Sequence, residues 1–294
     1  MNKLSADERA KVLQLLCEGM SIRAITRVTG VHKVTVARLM NDAGRAVADY
    51  QDAALRGLNA KRVQVDEIWS FTYAKQKNVP TAKAAPEGAG DTWTWTAIDA
   101  DSKLVMSWMV GGRDGGYAMA LMDDLAKRIA NRVQLTSDGH KAYLEAVEGA
   151  FGGDVDYAQL VKLYGPTPAP AGRYSPAECT GIRKTAVEGK PDMKYVSTSY
   201  VERQNLTMRM HMRRFTRLTN GFSKKVENHA NAVALHFAYY NFVRVHKTLR
   251  MTPAMAAGVT DRLWDMSDLV AIVEAAEAPP AKVRGPYKKT QKAV

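Results

Sequence analysis

From residue 61 onward the hydrophobic pattern changes period, and that change limits the fold more than any other feature of the chain. "KRVQVDEIWSFTYAK" alternates apolar and polar positions, as a strand with two different faces must. "TWTWTAIDADSKLVMSWMVGGRD" supplies two more strands joined at the polar turn "DADSK". Helix and strand then take turns: "GGYAMALMDDLAKRIA", "RVQLTSDGH", "KAYLEAVEGAF" and "YAQLVKLYG". Successive strands followed by this alternation predict an α/β fold, a mixed sheet with helices on its faces. Residues 165 to 192 include "GPTPAPAGRYSP" and "VEGKPD", show little periodicity and are expected to be an irregular insertion. Beyond them, residues 200 to 215 and 223 to 246 have helical character.

Residues 5 to 41 have the helical period throughout. Ser5 with Glu8 three positions on forms a capping-box pattern, and Ser21 precedes a second helix that Gly30 can end. A third helical segment follows directly. Two short helices joined by a glycine turn predict an all-α helix-turn-helix module at residues 1 to 45. His32, Lys33, Thr35 and Arg38 would then face a major groove, with Arg23 beside them. No acid stands between Ser21 and Met40, which favours DNA over a plain helical bundle. Residues 46 to 60 are expected to be a helical or loose linker.

The chain of 294 residues carries a net charge of +12, so a polyanionic partner is expected. No run of apolar residues is long enough for a membrane span, so no membrane partner is expected. Cys17 and Cys179 lie far apart and have no zinc-ligand spacing, which points to a reducing cytoplasm. The last residues, "PPAKVRGPYKKTQKAV", form a basic tail without an acid.

Three acids stand out against this positive background. Asp66 interrupts an apolar strand, Asp138 ends another before a glycine, and Glu202 opens a helix crowded with cations. A buried carboxylate needs a partner, and converging carboxylates repel one another unless a cation intervenes. Hard oxygen donors suit Mg²⁺ or Mn²⁺. Glu67 could replace Asp66, because neighbouring strand positions face opposite ways. Asp138 could equally be a turn residue. Asp99 and Asp101 fit a hairpin turn, and Asp114 fits a helix cap. Trp69, Trp93, Trp95 and Trp108 fit core packing, and Gln204 and Asn205 could orient the acids.

"VDEIWSF", "LTSDGHKAY" and "YVERQNLTMRMHMRRFTRLTNGFSKK" together resemble the DDE transposases of bacterial insertion sequences, of the IS-one type. "YYNFVRVHKTLRMTPAMAAG" is similar to the segment after the catalytic core of integrase-like transposases. The resemblance covers roughly residues 62 to 258. It implies an RNase H-like catalytic domain over 61 to 258, with a C-terminal helix and basic tail over 259 to 294. Asp66, Asp138 and Glu202 would be the catalytic acids, holding what is expected to be two Mg²⁺ ions, with Mn²⁺ able to substitute. Arg209, two helical turns after Glu202, would contact double-stranded DNA, and Arg203, Arg213, Arg214, Arg217, Lys224 and Lys225 could line the channel. The implied activity is cleavage and strand transfer at insertion-sequence ends, by a homodimer or larger synaptic assembly on the cytoplasmic nucleoid. A DNA-binding regulator with an inactive core is the alternative.

Overall fold

The computed structural model describes residues 3–165, 177–216 and 219–277. Arg217 and the basic tail from residue 278 lie outside them.

Three helices open the fold: α1 (Ala6–Cys17), α2 (Ile22–Thr29) and α3 (Lys33–Ala54). Their starts follow from local chemistry. The Glu8 amide donates to Ser5 Oγ at 3.3 Å and the Ser5 amide to Glu8 Oε2 at 2.9 Å, completing a capping box. The Ala24 amide donates to Ser21 Oγ at 3.2 Å, and the Val34 amide to His32 Nδ1 at 3.3 Å. Gly30, with φ 75°, makes the left-handed turn between α2 and α3.

Of the two forms expected for the linker, α3 takes the helical one, running unbroken through residues 46 to 54. Ala46 and Val47 are buried on it, and alanine-rich sequence propagates a helix well. The N-terminal helices are therefore continuous with the rest of the molecule. Val36, Leu39 and Met40 share a core with Val233, Leu235 and Phe237 of α7 (Val226–Ala238). The two helices cross so closely that a Cβ on Gly44 would lie 2.2 Å from the Asn231 carbonyl oxygen.

The sheet has six strands in the order β3-β2-β1-β4-β5-β6. These are β1 (Arg62–Thr72), β2 (Gly90–Asp99), β3 (Val105–Gly111), β4 (Val133–Ser137), β5 (Val155–Tyr164) and β6 (Cys179–Glu188). β1, β2 and β3 pair antiparallel, β4 and β5 join parallel to β1, and β6 returns antiparallel to β5. Three antiparallel strands followed by two parallel ones, with helices on both faces, make an RNase H-like fold. β6 corrects the expected irregularity over residues 179 to 188, while residues 166 to 176 of that segment lie outside the described residues. Nearly every residue of β6 is exposed, so the strand is held by its ladder to β5 and has no apolar alternation to announce it.

Both faces of the sheet are covered. On one, Val63, Val65 and Trp95 pack with α4 (Gly115–Arg128) and α5 (Ala142–Phe151). On the other, Ile68 and Ile98 pack with α6 (Ser199–His211), α7 and the N-terminal helices. Tyr239–Val243 continues α7 as a π-helical turn, and α8 (Pro253–Ala256) and α9 (Met266–Glu277) follow. α9 closes over α1, where Arg9 pairs with Glu274 and Glu277.

Candidate metal centre and nucleic-acid interface

The parallel register between β1 and β4 brings two acids together. Gln64 pairs with Thr136, and two residues further along each strand stand Asp66 and Asp138. Carboxylate oxygens of Asp66, Glu67 and Asp138 all lie within 4.8 Å of one another. Burial pushes the Asp66 carboxyl up to about 7, helped by the charges of Glu67, Asp138 and Glu202. Asn205 Nδ2, on α6, donates to Asp66 Oδ2 at 2.9 Å and fixes its orientation. Asp138 Oδ1 accepts from the His140 amide at 2.9 Å. A Cβ on Gly139, between them, would lie 2.8 Å from Val161 Cγ2 and would have to displace that side chain.

Glu67 belongs to the opposite face of β1 and is already compensated. Arg113 Nε and Nη2 reach its Oε1 at 2.7 and 2.6 Å, and the Tyr143 hydroxyl donates to Oε2 at 3.0 Å. A carboxylate held this way is a support for the cluster. Among the described residues, Asp66 forms no ion pair.

Glu202 opens onto the same groove as Asp66 and Asp138, a concavity of about 730 Å³ that Lys162, Thr198 and Arg113 also line. It is placed there because Gln64 Oε1 accepts from the Tyr200 and Val201 amides, pinning the first turn of α6 to β1. Lys162 Nζ, on β5, donates to Glu202 Oε2 at 2.5 Å, and Thr198 Oγ1 to Oε1 at 2.5 Å. Partial burial draws the Lys162 ammonium pKa down, but its hydrogen bond and charge pairing with Glu202 more than offset this and leave it raised. Asp66, Asp138 and Glu202 share the groove with Arg113, Lys141 and Lys162, and the acids offer hard oxygen donors. Among the described residues, the carboxylates close enough to share one ion are Asp66, Glu67 and Asp138, and Glu202 lines the same groove outside that group; such oxygen donors suit a hard divalent cation.

The other residues singled out in the sequence divide by location. Arg23, His32, Lys33, Thr35 and Arg38 are exposed on the α2–α3 unit. Arg203 is exposed early in α6, and Arg213, Lys224 and Lys225 are exposed between α6 and α7. Arg209 is half-buried on α6. Arg214 is drawn inward, with Nε donating to Ser223 Oγ at 2.7 Å. Asp99 accepts from the Asp101 and Ser102 amides in its turn, and Asp114 caps α4. Trp95 is fully buried. Lys162, Arg113, Thr198 and Tyr143 did not stand out in the sequence. Arg113 adjoins the helix-capping Asp114, and Lys162 lies in an alternating strand where a lysine is the ordinary solvated choice.

Residues 3–46 match a homeodomain-like domain family. No curated protein sequence matches the chain. Among solved structures, the chain is similar to the Mos1 strand transfer complex at 14% identity and TM-score 0.23, over 53% of this chain and 59% of that one. It is similar to a Mos1 mariner paired end complex with Mn at 15% identity and TM-score 0.20, over 51% and 58%. The piggyBac transposase synaptic complex with hairpin DNA matches at 10% identity and TM-score 0.36, over 95% and 74%. The chain thus spans 59% of the length of the first Mos1 chain.

Proposed function

We propose that the chain is a DDE transposase of a bacterial insertion sequence, of the IS-one type. The carrying observation is the convergence of Asp66, Asp138 and Glu202 on one groove from three elements remote in sequence. In this reading the acids hold two Mg²⁺ ions, for which Mn²⁺ can substitute. Bound there, the cations supply positive charge to the carboxylates and to the scissile phosphodiester. Asn205 orients Asp66, and Arg113 and Tyr143 already engage the Glu67 oxygens, so Glu67 supports the cluster from beside it. A water attacks the phosphodiester at the element's end, and the freed 3′-hydroxyl then attacks a target strand.

The helix-turn-helix presents His32, Lys33, Thr35 and Arg38, with Arg23, to the element's terminal sequence. Arg203, Arg209, Arg213, Arg214, Lys224 and Lys225 hold backbone phosphates beside the groove, with Arg217 in the same stretch of sequence. Two ends must be held together for strand transfer, so the working form is a homodimer or larger synapse on the cytoplasmic nucleoid.

The test is strand transfer by the purified chain on duplexes carrying the element's ends, in Mg²⁺ or Mn²⁺. Asp138→Asn and Glu202→Gln should each abolish joined product while leaving binding of the same duplex intact. Undiminished joining by either variant would exclude that acid from catalysis, and tight binding without nicking in wild type would favour the regulator.

A further inference from the structure

A second concavity, of about 790 Å³, lies between the N-terminal helices and the core. Arg23 and Lys33 line it from α2 and α3, and Arg213, Arg214 and Lys224 line it from the segment joining α6 to α7. No aspartate or glutamate lines it. Its inner wall is apolar, built from side chains such as Met40 and Met212.

Arg214 is the unusual member. Its Nε donates to Ser223 Oγ at 2.7 Å and its Nη2 to Met40 Sδ at 3.0 Å. Among the described residues, no carboxylate lies within ion-pair distance of its guanidinium. Its anchor is built in, because Ser223 Oγ also contacts His229 Nδ1 at 3.2 Å, and His229 Nε2 contacts Ser70 Oγ on β1 at 3.2 Å. Burial and the nearby Arg214 charge push the His229 ring down to about 3, so it stays neutral and adds no positive charge beside Arg214. A half-buried guanidinium with no acid beside it among the described residues gains from an anion that reaches it. Arg214 presents a planar fork suited to two oxygens of one phosphate.

We propose that this cleft binds a phosphate group of the DNA, with Arg214 as its recessed anchor and Lys33 and Lys224 closing on it from opposite walls. The helix-turn-helix and the core then grip one continuous strand, which sets the distance between the sequence that is read and the bond that is cut. This rests on the DNA-binding reading above and adds the point at which the two parts of the chain share a ligand.

The test uses the full chain and a labelled duplex, with affinity followed against salt by fluorescence anisotropy. Each lost phosphate contact lowers the slope of log affinity against log salt by about 0.9. Arg214→Met should lower it by about that amount. Lys33→Met and Lys224→Met, at exposed positions that leave folding untouched, should each do the same even where Arg214→Met fails to fold. Wild-type slopes in both lysine variants would overturn the proposal while Arg38→Ala, still weakening binding, upheld the DNA-binding reading. Inorganic phosphate separates the sources. A rise in Tm with phosphate, in a wild-type chain that binds no duplex, would overturn the DNA source and the DNA-binding reading together. Competition between phosphate and duplex in wild type, lost in Lys33→Met and Lys224→Met, would support the cleft.

Discussion

At Asp66, position and chemistry pull against each other. Its backbone is a central strand residue, yet its side chain is an acid whose pKa burial raises from 3.8 to about 7. A carboxyl raised on folding binds more protons in the folded chain than in the unfolded one between those values. Its contribution to stability therefore falls as pH rises from about 4 to about 7, and is flat above. At about 1.4 kcal/mol per pH unit, that span amounts to a penalty of about 4 kcal/mol as an upper bound. Asp66→Asn should accordingly raise the Tm of the EDTA-treated chain at pH 8 and leave it little changed at pH 4. Melts across that range check it, and a variant no more stable than wild type at pH 8 would contradict the assignment. Lys162→Met removes the cation that pairs with Glu202 and should tighten Mn²⁺ binding several-fold, read by Mn²⁺ electron paramagnetic resonance without DNA. Asp66 was legible in sequence because a charge inside an apolar strand is costly. Lys162 was not, because only the β4–β5–β6 register and the docking of α6 give it an acid to meet.

Among the elements, α3 and β6 show where periodicity is a sufficient guide and where it is not. Strands β1 to β5 and helices α4 and α5 were legible because each buries at least one face, which forces a period of two or 3.6. β6 buries almost nothing, so only its ladder to β5 defines it. The far half of α3 was left open between helix and loose chain, because Gly44 beside its alanines fits either. Small residues there serve a close crossing with α7, whose strictness can be measured. Gly44→Ala places a methyl 2.2 Å from a backbone oxygen and should destabilise by about 2–4 kcal/mol, since a helix must shift. Gly149 lies on exposed α5 with nothing within 4 Å of an added Cβ, so Gly149→Ala should stabilise by about 0.5–1 kcal/mol. Urea unfolding of both variants tests the contrast. Equal effects would mean that α3 and α7 are not in register contact.

For the whole molecule, the consequence is that the helix-turn-helix is not a bead on a string. A module over residues 1 to 45 followed by a linker would melt on its own. In the structure, Leu13, Ile25, Val36 and Met40 are buried in the same cluster as Phe237 and Tyr239 of the α7 segment and Leu269 and Val273 of α9. Removing the N-terminal helices would uncover that cluster, and each large apolar side chain left exposed forfeits about 1.5–3 kcal/mol. Arg9 would also leave Glu274 and Glu277 without their partner. Losses of that size exceed what an ordinary domain of a few hundred residues holds in reserve. The intact chain should therefore unfold in one calorimetric transition whose calorimetric and van't Hoff enthalpies agree. A chain beginning at residue 61 should be insoluble or molten, with strong dye binding to exposed apolar surface. Two resolved transitions, the smaller matching the isolated residues 1–60, would show that the interface between α3 and α7 is weaker than its packing implies. That result would also loosen the fixed spacing between the recognition helix and the acid groove on which a shared strand of DNA depends.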